Sequence, residues 1–320
     1  MNKKMTATLS LLGISLASFI SLSAINKAIE KLATSKELLD IKNKEIYHWR
    51  FGKISYSVTG EGKPVLLVHN LKEDSSSVEW SEIIPKLSKT NTVYSIDLLG
   101  CGLSDRPDIT YTSYMYTQLI NDFIRNIIKK KTSVIATGKS TSFVLDACSM
   151  NEEIYQEIIL INPESIQTLH KTPSKRTKTA AFLLKIPSIG TFIYHMITAR
   201  NMIEENFEER YFYDKEHISE ALYDYYYETS HLGGKNSKNL YTSLVGRYTN
   251  ANIIHTLKNV NKNIHILAGC EVPDIETTIK EYQYYNPAIE AEYIDYTKEL
   301  PQLEAAEEIL KYINLYLCND

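Results

Sequence analysis

The sequence carries no surplus of positive charge. Its formal net charge is −4 and its pI about 6.1, and no DNA- or RNA-binding motif is present, so nucleic acid is excluded as an expected partner. Cysteine is scarce. Cys101, Cys148, Cys270 and Cys318 lie far apart, with no CxxC pair and no histidine beside them. Zinc-type spacing is therefore lacking, no metal or cofactor is implied, and all four read as reduced and mostly structural. No internal repeat or low-complexity tract interrupts the chain. Phenylalanine is sparse beside tyrosine, with 8 copies against 23. That bias suits half-wet surfaces and clefts, or else reflects the composition of the proteome. What is present is globular in balance, 320 residues with 43% apolar and 23% charged, enough for one large α/β domain with an insertion or two small domains.

The first 25 residues stand apart. Lys3 and Lys4 precede a run from Met5 to Ile25 without any charge. Some 20 such residues suffice for a membrane-crossing helix. A cleaved signal peptide is the other reading, but a site near Leu22-Ser23-Ala24 puts leucine at −3. The helical pattern also continues through Asn26-Lys27-Ala28-Ile29-Glu30-Lys31-Leu32. The expectation is a single N-terminal anchor over 1–25 and a helical linker over 26–45, giving a membrane-anchored protein. Lysines flank both ends of the run in similar number, which leaves the orientation open.

Beyond residue 45 the periodicities change. Residues 46–60 read as a hairpin turning at Gly52-Lys53. Val65 to Val68 is apolar on both faces, as in a buried parallel strand. A helix is expected near 80–87, strands over 92–96, 133–137 and 157–161, and helices over 114–129 and after Ser140. From 165 to 250 the pattern is helical and rich in Tyr and Lys, with a turn at Gly233-Gly234. Strands return at 263–268 and 292–295, before a last helix over 304–317. Alternating strands and helices imply an α/β fold, a mostly parallel doubly wound sheet. The core would be 46–164 and 251–320, with 165–250 inserted as a helical cap.

Four segments then fall in a telling order. They are Val68-His69-Asn70; Asp97-Leu98-Leu99-Gly100-Cys101-Gly102-Leu103-Ser104-Asp105-Arg106-Pro107; Gly138-Lys139-Ser140-Thr141-Ser142 between a strand and a helix; and Glu299-Leu300-Pro301-Gln302-Leu303-Glu304 before the final helix. In this order, over residues 46–317, the chain resembles the α/β-hydrolase family, in its capped lipase- and esterase-like form. The second segment matches the family's Asp-x-x-Gly-x-Gly-x-Ser-Asp-x-Pro loop. The third matches its G-x-S-x-G elbow except at the last glycine. The resemblance implies Ser140 as nucleophile, with Gly138, Lys139 and Ser142 shaping the elbow. It implies an oxyanion loop at His69 and Asn70, with the N–H groups of Thr141 and Asn70 as donors.

The same resemblance exposes a gap. A serine hydroxyl needs a base to take its proton, and the family uses a histidine held by a carboxylate. No histidine follows His265; Glu299 stands in that place. A carboxylate titrating near 4.3 is a weak base at neutral pH, and loss of the base costs on the order of 10⁴-fold in rate. The acid is open among Glu164, Glu271 and Asp274, since the family's usual place holds Val272. His231 in the cap is a candidate substitute base, and His69 a candidate brace for its loop. The charged run around Lys171 to Lys178 reads as a solvated face, or one that touches anionic headgroups.

Two functions therefore remain in view. One is a membrane-anchored serine ester hydrolase with weak or lost activity, acting on a small ester. The other is a pseudoenzyme whose cleft binds a small apolar ligand or an as yet unspecified protein partner.

Overall fold

The structure, a computed structural model, describes residues 20–39 and 44–318. Most of the uncharged run lies outside them. Among the described residues, no single helix is long and apolar enough to cross a membrane. Residues 20–33 form α1. The helical linker expected to run to 45 ends here, and Leu38 then docks on the cap by donating its N–H to the Glu228 carboxylate at 3.0 Å.

Eight strands follow: β1 (Glu45–Trp49), β2 (Gly52–Thr59), β3 (Lys63–Val68), β4 (Asn91–Ile96), β5 (Thr132–Thr137), β6 (Tyr155–Ile161), β7 (Ile264–Gly269) and β8 (Glu290–Ile294). They form one sheet in the order β1-β2-β4-β3-β5-β6-β7-β8. β1 and β2 are antiparallel, and β4, β3, β5, β6, β7 and β8 run parallel. The crossover helices are α2 (Ile84–Leu87), α3 (Ser113–Phe123), α4 (Ser140–Met150), α11 (Ile254–Asn259) and α12 (Ile275–Tyr285), and α13 (Pro301–Glu304) and α14 (Ala306–Leu317) follow the last strand. The helices between β6 and α11 are α5 (Ile166–Leu169), α6 (Lys175–Lys185), α7 (Ile189–Ile197), α8 (Arg200–Asn206), α9 (Glu220–His231) and α10 (Lys238–Val245).

The core follows from the two-residue side-chain period of the strands. On β3, Leu66 and Val68 enter the layer that holds Tyr116, Phe123 and Phe143, while Val65 and Leu67 enter the layer that holds Trp80, Ile309 and Ile313. That is why the strand reads as continuously apolar. A third, small core forms around Phe207, whose ring meets Tyr211, Phe212, Tyr223 and Tyr226 at 4.7–5.8 Å, and takes in Leu300 from the segment after β8.

Three details differ from the sequence reading. The first hairpin turns at Arg50-Phe51, because Trp49 already pairs with Gly52. Gly52 serves close packing instead: a Cβ there would lie 2.9 Å from Asp105 Cβ. The helix expected near 80–87 is a 3₁₀ turn (Ser77–Trp80) and the short α2. The tyrosines are not mainly half-wet. Tyr111, Tyr116, Tyr155, Tyr194, Tyr226 and Tyr282 are fully buried. The phenols of Tyr116, Tyr155 and Tyr194 donate to Leu99 O, Asn121 Oδ1 and Ser230 O at 2.6–2.8 Å, which offsets the cost of burying them. The cysteines are all free thiols, Cys101 and Cys148 buried.

Candidate functional site

The site lies at the C-terminal ends of β3, β5, β6 and β7, where an α/β sheet offers its crevice. β3 ends at Val68 and delivers His69, which is fully buried. His69 Nε2 accepts from Leu98 N–H at 3.0 Å, so Nδ1 carries the proton and donates to Asn70 O at 2.6 Å. Burial pushes the imidazole down to about 4, and the ring stays neutral. His69 braces the loop and has no hydrogen left for an oxyanion.

The loop after β4 wraps one carboxylate. Asp97 accepts from the N–H groups of Ser77 and Leu103 at 2.8 and 3.1 Å, and a Cβ on Gly102 would sit 2.4 Å from Asp97 Cγ. Buried Arg106 donates to Thr229 O at 3.0 Å and so joins this loop to the cap. The loop is a structural clasp.

The bend after β5 decides the chemistry. Between Thr137 and Ser142 the one left-handed residue is Gly138, with φ +54°. Lys139 is already right-handed and Ser140 begins α4. In an α/β-hydrolase elbow the residue on the strained strand-to-helix turn is the nucleophile, and the next N–H is an oxyanion donor. By that geometry the apex is Gly138, and Ser140 lies two residues beyond it in the first helical turn. Its Oγ is fully buried and donates to His69 O at 2.6 Å. Thr141 and Ser142 back-bond to Gly138 O and Lys139 O at 2.7 and 2.8 Å. The Gly-x-Ser match is real as sequence, but the strand ends earlier than that register requires.

The Asn70 side chain takes the space above Gly138. A Cβ on Gly138 would lie 2.4 Å from both Asn70 Cγ and Asn70 Oδ1. Asn70 Oδ1 accepts the N–H of Lys139 at 2.9 Å, the donor that follows the apex. The N–H of Asn70 goes to Glu79 Oε2 at 3.0 Å, and that of Thr141 to Gly138 O at 3.3 Å. Every N–H expected to hold an oxyanion is thus satisfied within the chain.

Glu299 does line the same cleft. Its carboxylate binds Lys72 Nζ at 2.8 Å and Arg210 at 3.0 Å. The carboxyl is lowered from its ordinary range because these two cations outweigh its burial. Lys72 also stands 4.4 Å over the Tyr211 ring. Such a pair holds Glu299 as an anion and blunts it as a base.

The remaining candidates fall in different places. Glu164 meets Lys139 Nζ at 2.5 Å, and Lys139 Nζ also donates to Asn250 Oδ1 at 2.9 Å; Lys139 is the more buried member of this ion pair. Asp274 lines the cleft at the start of α12, beside Val272, whereas Glu271 is exposed and off the cleft. His231 stays inside the cap: its Nδ1 meets Tyr227 O at 2.8 Å and its ring stacks on His195 at 5.0 Å. Sequence reasoning missed Asn162. Left-handed at φ +46°, it donates to Lys298 O and Glu299 O at 2.9 and 3.2 Å and accepts Gly269 N–H at 2.9 Å. It fastens the Glu299 segment to the end of β7. An Asn-Pro pair after a core strand was its only signal, since asparagine tolerates that backbone better than most residues.

The resulting cleft is about 490 Å³, walled by Asn70, Lys72, Lys139, Glu164, Arg210 and Glu299. Leu71, Leu244, Val272 and Ile275 complete the lining, so charged and amide groups share the walls with apolar ones. Three acids lie on the segment after β3, with Asp74 and Glu79 buried and Glu73 half-buried. Burial raises Glu79 and Glu73 to about 7, and raises Asp74. Among the described residues, no group of three His, Cys, Asp or Glu could hold a metal.

No family model matches the chain. A 2-hydroxy-6-oxo-6-(2'-aminophenyl)hexa-2,4-dienoic acid hydrolase of Metapseudomonas resinovorans is 28% identical over 108 residues, 33% of this chain and 37% of that protein. The chain thus spans well under half the length of that curated relative. Among solved structures, a serine hydrolase involved in carbazole degradation superposes with a TM-score of 0.70 at 16% identity, covering 86% of this chain and 98% of that one. A bacterial membrane phospholipase A superposes at 0.68 and 14% identity, covering 99% and 98%. With the strand order, these likenesses show that the chain has the α/β-hydrolase fold. At such identities the likeness defines the fold and leaves the activity to the site.

Proposed function

We propose that this chain is a membrane-tethered α/β-hydrolase-fold protein that has lost ester hydrolysis and keeps its cleft for binding. The observation that carries the reading is the Gly138–Asn70 pair: a glycine at the apex, and a carboxamide filling the volume a nucleophile's side chain would need. The salt-bridged Glu299 in the base's position and Val272 in the acid's position add to it. A ligand suited to this cleft is small and polar, with an anionic or amide group to meet Lys72, Lys139 and Arg210. Tethering rests on the uncharged run Met5 to Ile25 and on the likeness to a protein named as a membrane phospholipase.

A fluorophosphonate probe tests the loss of hydrolysis. The folded full chain is expected to remain unlabelled. Labelling that maps to Ser140 and vanishes in Ser140→Ala would overturn the reading.

A further inference from the structure

α6 and α7 are apolar enough together to pass for a membrane span, but they meet at 106°. Gly190 permits that corner, since a Cβ there would lie 1.9 Å from Leu184 O. A bent pair of this kind cannot cross a bilayer as one helix, but it can lie along its surface. The outer side of the corner is bare: Phe182 is 66% exposed, Met196 60%, Leu183 48% and Ile189 46%. On α7, Ile189, Ile193 and Met196 follow one face, while Tyr194 and His195 on the other are buried. Apolar side chains massed on one surface are uncommon without a partner.

Three further observations bear on that partner. From Lys171 to Lys185 there are five cations, Lys171, Lys175, Arg176, Lys178 and Lys185, and no acid, in a chain whose net charge is −4. Beside this stretch, a cavity of about 470 Å³ opens between α1 and the cap, lined by Lys27, Lys185, Lys235 and Lys238 against Glu30 and Asp108. α1 is pinned to the same corner: Ser23 Oγ meets Ser188 Oγ at 2.6 Å, and Asn26 Nδ2 donates to Ser188 O at 2.9 Å. The uncharged run therefore leads directly into this face.

We infer that the α6–α7 corner is a docking surface for an anionic lipid bilayer. Phe182, Leu183, Ile189 and Met196 enter the interface, and the lysine-lined cavity beside α1 takes a phospholipid phosphate. Apolar insertion and cationic attraction act together in such surfaces. The inference rests on the tethering part of the proposed function and adds which face meets the lipid.

The test uses the full chain reconstituted in phosphatidylcholine vesicles, with and without phosphatidylglycerol. Phe182→Trp is compared with Tyr284→Trp on α12, a control that is 79% exposed. Flotation reads tethering, and quenching by acyl-brominated lipid reads docking. The indole of the Phe182→Trp chain is expected to be quenched at least about threefold more than that of the Tyr284→Trp chain when phosphatidylglycerol is present. Adding Lys27→Glu, Lys185→Glu and Lys235→Glu together should abolish that difference and still leave a chain that floats. Flotation with equal quenching at both sites overturns the docking face alone; failure to float overturns tethering as well. Shielding of the Phe182→Trp indole from iodide without lipid quenching would mean that a second copy covers the corner, and overturns the inference. Loss of the phosphatidylglycerol preference in inorganic phosphate, but not in chloride of equal ionic strength, would make the cavity a free-anion site and overturn the headgroup assignment.

Discussion

Gly138 and Asn70 occupy one volume: the carboxamide of Asn70 lies 2.4 Å from where a β-carbon on Gly138 would be. The pair joins the ends of β5 and β3 and closes the position from which a hydrolase of this fold attacks. A glycine is needed at the apex twice over, for its left-handed backbone and for the space its neighbour takes.

The first consequence is a coupled pair of substitutions. Gly138→Ser should cost about 2–4 kcal/mol in urea denaturation, from the left-handed backbone and the overlap together. Asn70→Gly in the same chain should recover part of that loss, giving a coupling of about 1 kcal/mol or more in a double-mutant cycle. Strictly additive costs would show that Asn70 does not fill the site.

A second concerns the base position. Glu299→His alone should leave p-nitrophenyl ester hydrolysis at background, because the new imidazole faces a glycine. The same change removes the partner of Lys72 and Arg210 and should destabilise the fold. Glu299 is lowered in the fold, so its contribution is present above the ordinary carboxylate pKa and lost as pH falls through the lower folded value. The penalty of Glu299→Gln should accordingly be seen at neutral pH and shrink below about pH 4. A penalty constant from pH 7 to 3 would contradict the ion pair.

Glu79 and His69 should pull stability in opposite directions with pH. Glu79 is raised to about 7 from 4.5. Its contribution is full below 4.5 and lost as pH rises towards 7, because the folded chain keeps the proton longer. His69 is lowered to about 4 from 6.5. Its contribution is full above 6.5 and lost as pH falls towards 4, because the unfolded chain takes the proton first. Glu79→Gln should remove the first effect and leave stability rising more steeply between pH 4.5 and 6.5 than in the parent chain. An unchanged slope in thermal melts across that window would rule out a protonated Glu79.

Asn162→Ala removes the side chain that fastens Lys298 and Glu299 to β7 and orphans the Gly269 N–H. A loss of about 2–4 kcal/mol is expected, since buried groups are left without partners. A loss below about 1 kcal/mol, the net worth of a single hydrogen bond, would mean that the segment is held mainly by other contacts.

How much of this was legible depends on which signals are local. The buried strand Val65 to Val68 and the helical stretch after β6 could be read from periodicity, and the loop Asp97 to Pro107 from its resemblance to a family motif. The first hairpin turn was read at Gly52-Lys53 because glycine marks turns, whereas Gly52 is spent on packing against Asp105. The elbow is the instructive case. Gly138-Lys139-Ser140 and Ala136-Thr137-Gly138 are two registers of the same strand-turn-helix pattern. Only the second puts the left-handed residue at the apex.

The amino-acid order alone determined the alternation of strands and helices, the two-faced burial of the central strands and the lack of a histidine beyond His265, because each is a property of residues close together in the chain. Tertiary structure decided where β5 stops, that Asn70 enters the space above Gly138, and that Lys72 and Arg210 converge on Glu299. Those contacts join residues from 68 to 227 positions apart. Closing such distances takes the whole sheet, since no local propensity specifies which side chain will meet another across it.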